Sequence, residues 1–460
     1  MPILLSSLFL APAAHAAEVQ FEGYYRARFR AFDTLSLDRD NALDEGLSAL
    51  AQHRLWLAPR FLITDQASLF VQINALNGVP WGMSDADYAG YGLDPANVFE
   101  YDLTSPTSST DPNAPLLDLT LWRAWGEVYT PIGQFSFGRM PLGWGRGIWL
   151  NDGLSDPLNA DFGDTTDRVM WEHLIQDQFY LRASVDVPAE RFVGADDDTT
   201  AVGFGVAYKN ETMSAGILLQ LDHTGPQQPA GAPLDVFTAD AAGDVTLGKL
   251  NLAAEAVGQF GGGNLEGGYN DANITAVGAV LEAGIDLEPW GADLQVGIAS
   301  GDNTPGDLNL RTFTFDRDYS VGMFLFEQPM PTLATSLSAA NDTNGGRDYG
   351  SVLSGAALSN AIFVKPTGSR EIVDGLRVDV SWLGARVARP PTIDGVNQSR
   401  GYGNEFQLGV SYTGIAHVLA DARFGLFLPG THYSRSANGE EDTGFDGPAY
   451  GFQLTGRIDF

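Results

Sequence analysis

Cysteine is absent from this sequence of 460 residues, and lysine is nearly absent. Without cysteine no disulfide can form, and cysteine-free chains occur in every cellular compartment. The three lysines are Lys209, Lys249 and Lys365. Arginine therefore supplies nearly all of the positive charge, and a guanidinium can hold a carboxylate, sulfate or phosphate with two hydrogen bonds at once.

Positive charge is scarce overall, because 26 lysines and arginines face 58 aspartates and glutamates, for a formal net charge of -32. This balance argues against nucleic acid as a partner. Residues 38–41 lack the glycine of a calcium-binding loop, so we expect solvated surface there rather than a divalent-cation site, and no metal or cofactor. The acids gather in stretches that we predict to be loops: Asp38, Asp40, Asp44, Glu45, Asp196, Asp197, Asp198, Glu440, Glu441 and Asp442.

Long apolar runs are also missing, since beyond the first residues no stretch reaches the ~18 apolar residues of a transmembrane helix. A membrane protein remains possible, because a β-barrel crosses lipid with alternating strands of low average hydropathy. The mean hydropathy of -0.08, together with 54 glycines and 11% aromatic residues, fits alternation better than a large apolar core.

The first residues predict export. Residues 3–12 are apolar, and Ala14, His15 and Ala16 form a small-x-small cleavage signal. We expect residues 1–16 to be a signal peptide and the mature chain to begin at Ala17. The alternative is an ordinary buried N-terminal segment.

Residues 19–32 predict a membrane-spanning strand. Apolar and small side chains alternate there with polar ones, which places Arg26, Arg28 and Arg30 in one row behind an apolar wall. A helix would scatter the three arginines around its circumference. The alternation is longer than the ~5 to 6 residues of a globular strand and matches the ~9 to 11 residues of a tilted transmembrane strand.

The same alternation recurs along the chain and predicts an all-β fold: one closed antiparallel transmembrane barrel formed by residues 17–460. An even count of about eighteen strands fits the range of such barrels. We predict a turn at residues 366–368 after a weak strand at 356–365. Short turns are expected at the periplasmic end and long external loops near residues 33–52, 76–117, 141–166, 302–355 and 429–447.

The last strand carries a resemblance to a known class. Its aromatic and apolar residues are spaced by two or four and end on the final residue: Tyr450, Phe452, Leu454, Ile458 and Phe460. This pattern resembles the terminal strand of Gram-negative outer-membrane barrels. The resemblance implies that Phe460 is the assembly signal read by the barrel-assembly machinery, and that the protein lies in the outer membrane with lipid and lipopolysaccharide as partners.

A weaker resemblance concerns the lumen. Residues 137–145 are similar to a Gly-Arg element of alginate-export barrels, and the arginine content resembles that of anion-selective porins. We predict a positive pore that favours anions. The alternative is that the arginines pair with Glu22, Glu127, Asp186, Asp379, Asp421 and Asp459 and brace the wall. The predicted lumen residues are Arg26, Arg28, Arg30, Arg54, Arg60, Arg123, Arg182, Arg377, Arg423 and Arg457.

Residues 141–166 break the alternation with glycine, proline and tryptophan, which do not form regular strands. Because this stretch follows Arg139, which we expect to point inward, we predict a constriction folded back into the barrel; an exposed external loop is the alternative. The tryptophans could stack on sugar rings or belong to the interfacial girdle. The candidate constriction residues are Arg139, Trp144, Arg146 and Trp149.

Enzyme motifs are absent: no HExxH or GxSxG occurs around the six histidines, His15, His53, His173, His223, His417 and His432. We therefore predict no enzyme but a porin-like channel for passive passage of small anionic solutes or acidic saccharides. The alternatives are a barrel that exports polyanionic polysaccharide and, less favoured, a barrel hydrolase that assembles serine and histidine from distant strands.

Overall fold

The computed structural model describes residues 18–34, 37, 47–80, 119–154, 156, 158–161, 163–189, 199–225, 233–265, 269–304, 307–328, 357–390, 392–393, 396–397, 399–432 and 447–460. The predicted signal peptide lies outside them. Eighteen long strands make the wall: β1 Glu18–Phe32, β2 Ser48–Thr64, β3 Ala67–Pro80, β4 Leu119–Thr130, β5 Gly133–Pro141, β6 Thr165–Ile175, β7 Phe179–Ala189, β8 Thr199–Lys209, β9 Met213–Thr224, β10 Leu234–Leu247, β11 Leu250–Leu265, β12 Tyr269–Asp286, β13 Trp290–Ala299, β14 Ala361–Val373, β15 Leu376–Val387, β16 Gly401–Ile415, β17 Val418–Pro429 and β18 Ala449–Asp459.

The strands form a closed antiparallel barrel. Each pairs with the strands before and after it, and β1 pairs with β18 in a register that sets Tyr24 opposite Asp459. Gly23 and Phe460 exchange two backbone hydrogen bonds of 2.9 and 3.0 Å at this seam. A closed barrel leaves no strand edge unpaired, as a wall surrounded by lipid requires. The predicted fold class and strand number are confirmed.

Connections at the two ends of the barrel differ in length. One end, called here the turn end, carries connections of two or three residues at 65–66, 131–132, 176–178, 210–212, 248–249, 287–289, 374–375 and 416–417. The other end, the loop end, carries most of the long connections, as predicted. No helix among the described residues is long and apolar enough to cross a membrane.

Three boundaries differ from the prediction. Strand β2 already begins at Ser48 and β3 continues to Pro80, inside the stretches 33–52 and 76–117 that we expected to be loops. The turn predicted at residues 366–368 is wrong, because β14 runs through it. Pro366 lies opposite Leu294 of β13. On its other side β14 is interrupted, because its pairing with β15 skips residues 365–366 between Val364 and Thr367. A proline lacks the amide donor that a ladder needs, so it lies where pairing is broken.

The alternation predicted for β1 is present and distinguishes the outward face of the strand from the inward face. Phe21 and Phe29 are 53% and 39% exposed, whereas Arg26 and Arg28 are each 2% exposed. Strand β9 repeats the pattern, with Leu219 exposed on the outward face. Apolar side chains therefore cover the outside, where lipid would contact them, and polar side chains point into the barrel.

The lumen is partly filled by two stretches from the loop end: the first inserted segment, residues 142–164, and the second inserted segment, residues 307–328. Ile148 of the first and Phe313 and Phe324 of the second are at most 1% exposed and pack with inward wall residues such as Val280 and Leu383. The core thus lies inside the barrel. In the described part of the predicted loop 302–355 only residues 309–310 form a strand, paired parallel to β12.

The outward face of β9 can be tested with a charge. Leu219→Arg places a guanidinium near the middle of the apolar face and should destabilise the barrel by about 2–4 kcal/mol. Leu247→Arg, at the turn end of β10, should cost only about 0–1 kcal/mol because it lies at the interface. Denaturant unfolding in lipid vesicles measures both. Equal costs for the two variants would contradict the assigned face and depth.

Candidate functional site

The first inserted segment is held against one wall by the arginine row of β1. Arg26 and Arg28 both form ion pairs with Asp161, and both donate to the carbonyl oxygen of Leu158, at 3.1 and 3.3 Å. Burial opposes ionisation of Asp161, but the neighbouring arginine charges outweigh it and hold the pKa of Asp161 far below its ordinary value. This clamp stays charged across the physiological range.

Two more arginines extend the clamp onto neighbouring strands. Arg54 of β2 donates to the carbonyl oxygen of Ala160 at 3.1 Å. Arg123 of β4 donates to the carbonyl oxygens of Asp152 and Asp164 at 3.0 and 2.8 Å. Backbone oxygens of an irregular segment need donors when they are buried, and these arginines supply them. The segment is therefore fixed inside the barrel.

The second inserted segment is anchored by carboxylates. Asp318 accepts the backbone amides of Asp161 and Gly163, at 2.8 and 2.6 Å, and so joins the two inserted segments. Glu405 of β16 accepts the amide of Met323 at 2.6 Å, followed by the next two amides of the segment. Consecutive amides aimed at one carboxylate form a compact anion-holding turn. The constriction is thus tied to two sides of the barrel.

A further set of contacts joins the inserted segments to β12. The guanidinium of Arg146 forms an ion pair with Glu282 at 2.6 Å, and the hydroxyl of Tyr319 donates to the same carboxylate at 2.7 Å. Glu282 therefore contacts both segments at once. Basic side chains line the β1 to β4 side of the lumen, and acidic side chains anchor the opposite side.

A central cavity of about 280 Å³ remains between the inserted segments and the wall. Three cationic side chains line it: Arg30 of β1, Lys365 of β14 and Arg423 of β17. Its acidic lining residues are Asp156 and Glu327. The neutral hydrogen-bonding side chains of the lining are the hydroxyl of Ser320 and the amides of Asn159, Gln295, Gln407 and Gln453.

Among the residues that line this cavity, positive charge exceeds negative charge near neutral pH, and one of the three cations, Arg423, shares its charge with Asp421 and Asp379 outside the lining. Burial raises the pKa of Glu327 to about 8, so this acid is mostly neutral at pH 7. Asp156 accepts the backbone amide of Leu158 at 3.0 Å. Lys365 has neither a hydrogen bond nor an ion pair to any residue of the described ranges. Its ammonium is therefore available to a solute.

Two larger cavities of about 450 Å³ each adjoin the constriction. The one that shares Asp156, Gln295 and Ser320 with the central cavity has a more acidic lining. The other is lined mainly by β7 to β10. Trp144 and Arg146 line both of these larger cavities and therefore separate them.

The predicted lumen arginines fall into three groups. Arg26, Arg28, Arg54 and Arg123 bind the first inserted segment, whereas Arg30 and Arg423 line the central cavity. The rest contact neighbours in the wall: Arg60 over the Phe70 ring at 4.7 Å, Arg182 with Glu172 at 3.0 Å, Arg377 with Ser369, and Arg457 with Asp459 at 2.6 Å. Of the acids named in the alternative, Asp459 binds one of these four arginines, whereas Asp379 and Asp421 bind Arg423.

Arg139 does not belong to the constriction, and the expectation that it points inward is wrong. It is more than half exposed and pairs at 3.3 Å with Asp167, which is equally exposed. Phe137, two residues before it, is 52% exposed on the same outward face, whereas Met140 is buried inside. The two-residue period of a strand puts Arg139 and Phe137 on one side.

The other three candidate constriction residues lie inside the barrel. Trp144 and Arg146 line cavities, and Trp149 packs against the buried clusters of the lumen. Sequence reasoning missed Lys365 because Ile362 and Val364 flank Phe363, which hides the alternation, and because Pro366 suggested a turn. The rarity of lysine in this chain was a signal that could have drawn attention to it.

Of the described histidines, His432 is buried against the ring of Tyr402, and two others lie on the outside of the barrel. His223 contacts Asp235 at 2.7 Å on the outward rim, and His53 contacts Tyr25 on the outward face of β2. Within the described ranges, no group of three or more histidine, aspartate and glutamate side chains could hold a metal ion.

No protein family matches this sequence, and no curated protein matches it. Solved structures match it in fold. OccK11 (OpdR) of Pseudomonas aeruginosa has a TM-score of 0.51 at 11% identity over 96% of each chain. OccK2 (OpdF) of the same organism, in complex with glucuronate, has 0.51 at 11%, and its outer membrane protein opdK has 0.50 at 10%; both matches cover 96% of this chain and 98% of the other.

These likenesses establish the fold: a closed antiparallel β-barrel of the kind found in Gram-negative outer-membrane porins. The prediction of that class is confirmed. The likeness of residues 137–145 to alginate-export barrels stays a prediction.

The clamp can be tested by removing its carboxylate. Asp161→Ala leaves Arg26 and Arg28 without their shared counterion, and breaking a buried ion pair costs about 3–5 kcal/mol. We expect the first inserted segment to loosen and single-channel conductance in planar bilayers to rise. The matched control, Asp167→Ala, removes an ion pair on the outward face and should leave conductance unchanged. Unaltered conductance in Asp161→Ala would contradict the clamp.

The charge of the central cavity should depend on pH through Glu327. Because its pKa is raised to about 8, Glu327 is neutral below that pH and negative above it. Anion selectivity, measured as a reversal potential in a salt gradient, should therefore fall as the pH rises through about 8. Glu327→Gln should keep the low-pH selectivity throughout. A decline of the same size in that variant would assign the effect to another group.

Proposed function

We propose that this protein is an outer-membrane porin through which small anionic solutes or acidic saccharides diffuse. The observation that carries the proposal is the convergence of Arg30, Lys365 and Arg423 on one central cavity in which Glu327 is mostly neutral at pH 7. Rings of basic side chains favour anions. An acidic protein with few lysines thus concentrates cations where its lumen is constricted.

The mechanism is electrostatic. An entering anion loses part of its hydration, and the guanidinium and ammonium groups of the cavity replace it. Amide side chains around them offer hydrogen bonds to hydroxyl groups. Release requires weak binding, and Arg423 favours it because its charge is shared with Asp421 at 3.0 Å and Asp379 at 3.8 Å.

The dimensions of the lumen favour a small solute over a polymer. Cavities of about 280 and 450 Å³ are the size of small-molecule sites. An extended polysaccharide would require both inserted segments to leave the lumen, where they are held by the contacts of Asp161, Asp318 and Glu405. We therefore propose passage of small acids rather than polysaccharide export.

One of the structures with this fold, OccK2 (OpdF), holds glucuronate, an acidic sugar. Its substrate is a property of that protein, and the identity of 11% makes it only a guide. The central cavity of this chain offers cations for the carboxylate of such a sugar and amide side chains for its hydroxyl groups. We propose sugar acids as the first solutes to examine.

The remaining partners are also proposals. The outward apolar face would contact outer-membrane lipid and lipopolysaccharide. Phe460 stacks on Phe21 at a centroid distance of 6.0 Å beside the closing seam. This position suits a residue that completes the last strand, and we retain it as the proposed signal for the barrel-assembly machinery.

Lys365, which forms no ion pair with a described residue, gives the sharpest test. Lys365→Gln keeps a polar side chain of comparable length and removes the charge, so the reversal potential should shift toward cations. Arg139→Gln removes a positive charge from the outward face and is the matched control, which should leave selectivity unchanged. A wild-type preference for cations, or no conductance at all, would defeat the proposed function.

A further inference from the structure

Two acidic side chains meet inside the wall beneath the first inserted segment. Asp240 of β10 is 0% exposed, and Glu255 of β11 is 1% exposed. Asp240 pairs with Val257 and Glu255 pairs with Ala242, so the two acids are diagonal neighbours on adjacent strands, and their carboxyl groups come within hydrogen-bonding contact. Neither residue takes part in the clamp or in the central cavity. This acid pair, Asp240 with Glu255, is the subject of the inference.

The hydrogen bonds of the acid pair do not balance if both groups are ionised. One oxygen of Glu255 accepts the backbone amides of Arg146 and Ile148 in the first inserted segment. The other oxygen of Glu255 and both oxygens of Asp240 receive no donor from the described residues. Burying two adjacent carboxylates without donors or a counterion is strongly unfavourable.

The wall around the acid pair supplies no cation. Across the strand pairs, Asp240 lies opposite Leu218 of β9 and Val257 of β11. Glu255 lies opposite Val280 of β12. These neighbours are apolar, so the strands leave the carboxyl groups in surroundings of low polarity.

The ionisable groups that approach the acid pair are engaged elsewhere. The guanidinium of Arg146 and the hydroxyl of Tyr319 both bind Glu282. Asp244, further along β10, is hydrogen-bonded to Ser214 and carries the same sign of charge as the acid pair. Neither Asp240 nor Glu255 forms an ion pair with a lysine, arginine or histidine of the described residues.

We propose that Asp240 carries a proton that it donates to Glu255, and that this shared proton positions the first inserted segment, so that alkaline conditions loosen the constriction. One proton satisfies the free oxygen of Glu255 and neutralises Asp240. Glu255 stays ionised, since it accepts two backbone amides. Through those amides it holds the stretch of chain that carries Trp144 between the two larger cavities.

Loss of the shared proton would leave two buried charges side by side. Their repulsion would be relieved by moving the segment away and admitting water. Because Trp144 and Arg146 separate the two larger cavities, that movement should enlarge the passage between them. Asp240 and Glu255 are thus positioning residues of the constriction and need not contact the solute.

Single-channel conductance from about pH 6 to about pH 10 tests the inference. The inference rests on the proposed channel, and the recordings use the Glu327→Gln background so that the titration of Glu327 does not interfere. We expect conductance to rise at alkaline pH. In Asp240→Asn the amide donates to Glu255 at every pH, so conductance should match the parent at neutral pH and the alkaline rise should vanish. Asp235→Asn, on the outward rim, is the matched control and should keep the rise.

A second measurement does not depend on conduction. Infrared difference spectra compare the Glu327→Gln parent with Asp240→Asn in the same background. At neutral pH the difference should contain a protonated carboxyl band that comes from the parent, and this difference should vanish at alkaline pH. An alkaline rise that persists in Asp240→Asn, or a neutral spectrum that does not differ between the two proteins, would overturn the inference. So would a change of parent conductance on adding a chelator at neutral pH, because it would place a metal ion between the carboxylates. A barrel that does not conduct but shows the band would refute the proposed channel and still support the shared proton between Asp240 and Glu255.

Discussion

Backbone hydrogen bonding is the constraint on which this structure depends. A strand surrounded by lipid cannot leave its amides and carbonyls unpaired, so the wall must close on itself. Pairing of β1 with β18, completed by the hydrogen bonds between Gly23 and Phe460, achieves that closure. Closure in turn fixes which face of every strand meets lipid, and it creates an interior into which all the opposite side chains must fit.

The contents of that interior follow from charge. Two irregular segments enter the lumen, and their backbone groups need partners as much as those of the wall do. Arginines of β1, β2 and β4 supply donors to carbonyl oxygens, and Glu405 and Asp318 supply acceptors to amides. The positive row that looks like a pore lining is therefore mostly a clamp. The cations that line the central cavity instead are Arg30, Lys365 and Arg423, to which we assign the proposed anion selectivity.

Acidic side chains in the same lumen differ in their ionisation because their neighbours differ. Asp161 lies among arginines and stays ionised. Burial raises the pKa of Glu327 to about 8, because the Ser320 hydrogen bond and the charge of Arg30 offset only part of the cost of ionising it. Ionised acids hold the segments in place. A neutral Glu327 leaves the cavity positive. The same lumen thus holds an acid that stays ionised and an acid that is mostly neutral at pH 7.

The sequence by itself determined the barrel, an approximate strand number and the inward direction of the β1 arginines, because the two-residue period is a local property of each strand. It also implied the outward position of Arg139 through Phe137, which our prediction overlooked. Only the tertiary structure decided which arginines are engaged. Asp161 and Arg26 are 135 residues apart, and their meeting depends on how a loop enters a closed wall. Likewise, Lys365 of β14 lines one cavity with Arg30 of β1 and Arg423 of β17 only because the wall curves around the lumen. No local sequence pattern encodes that curvature.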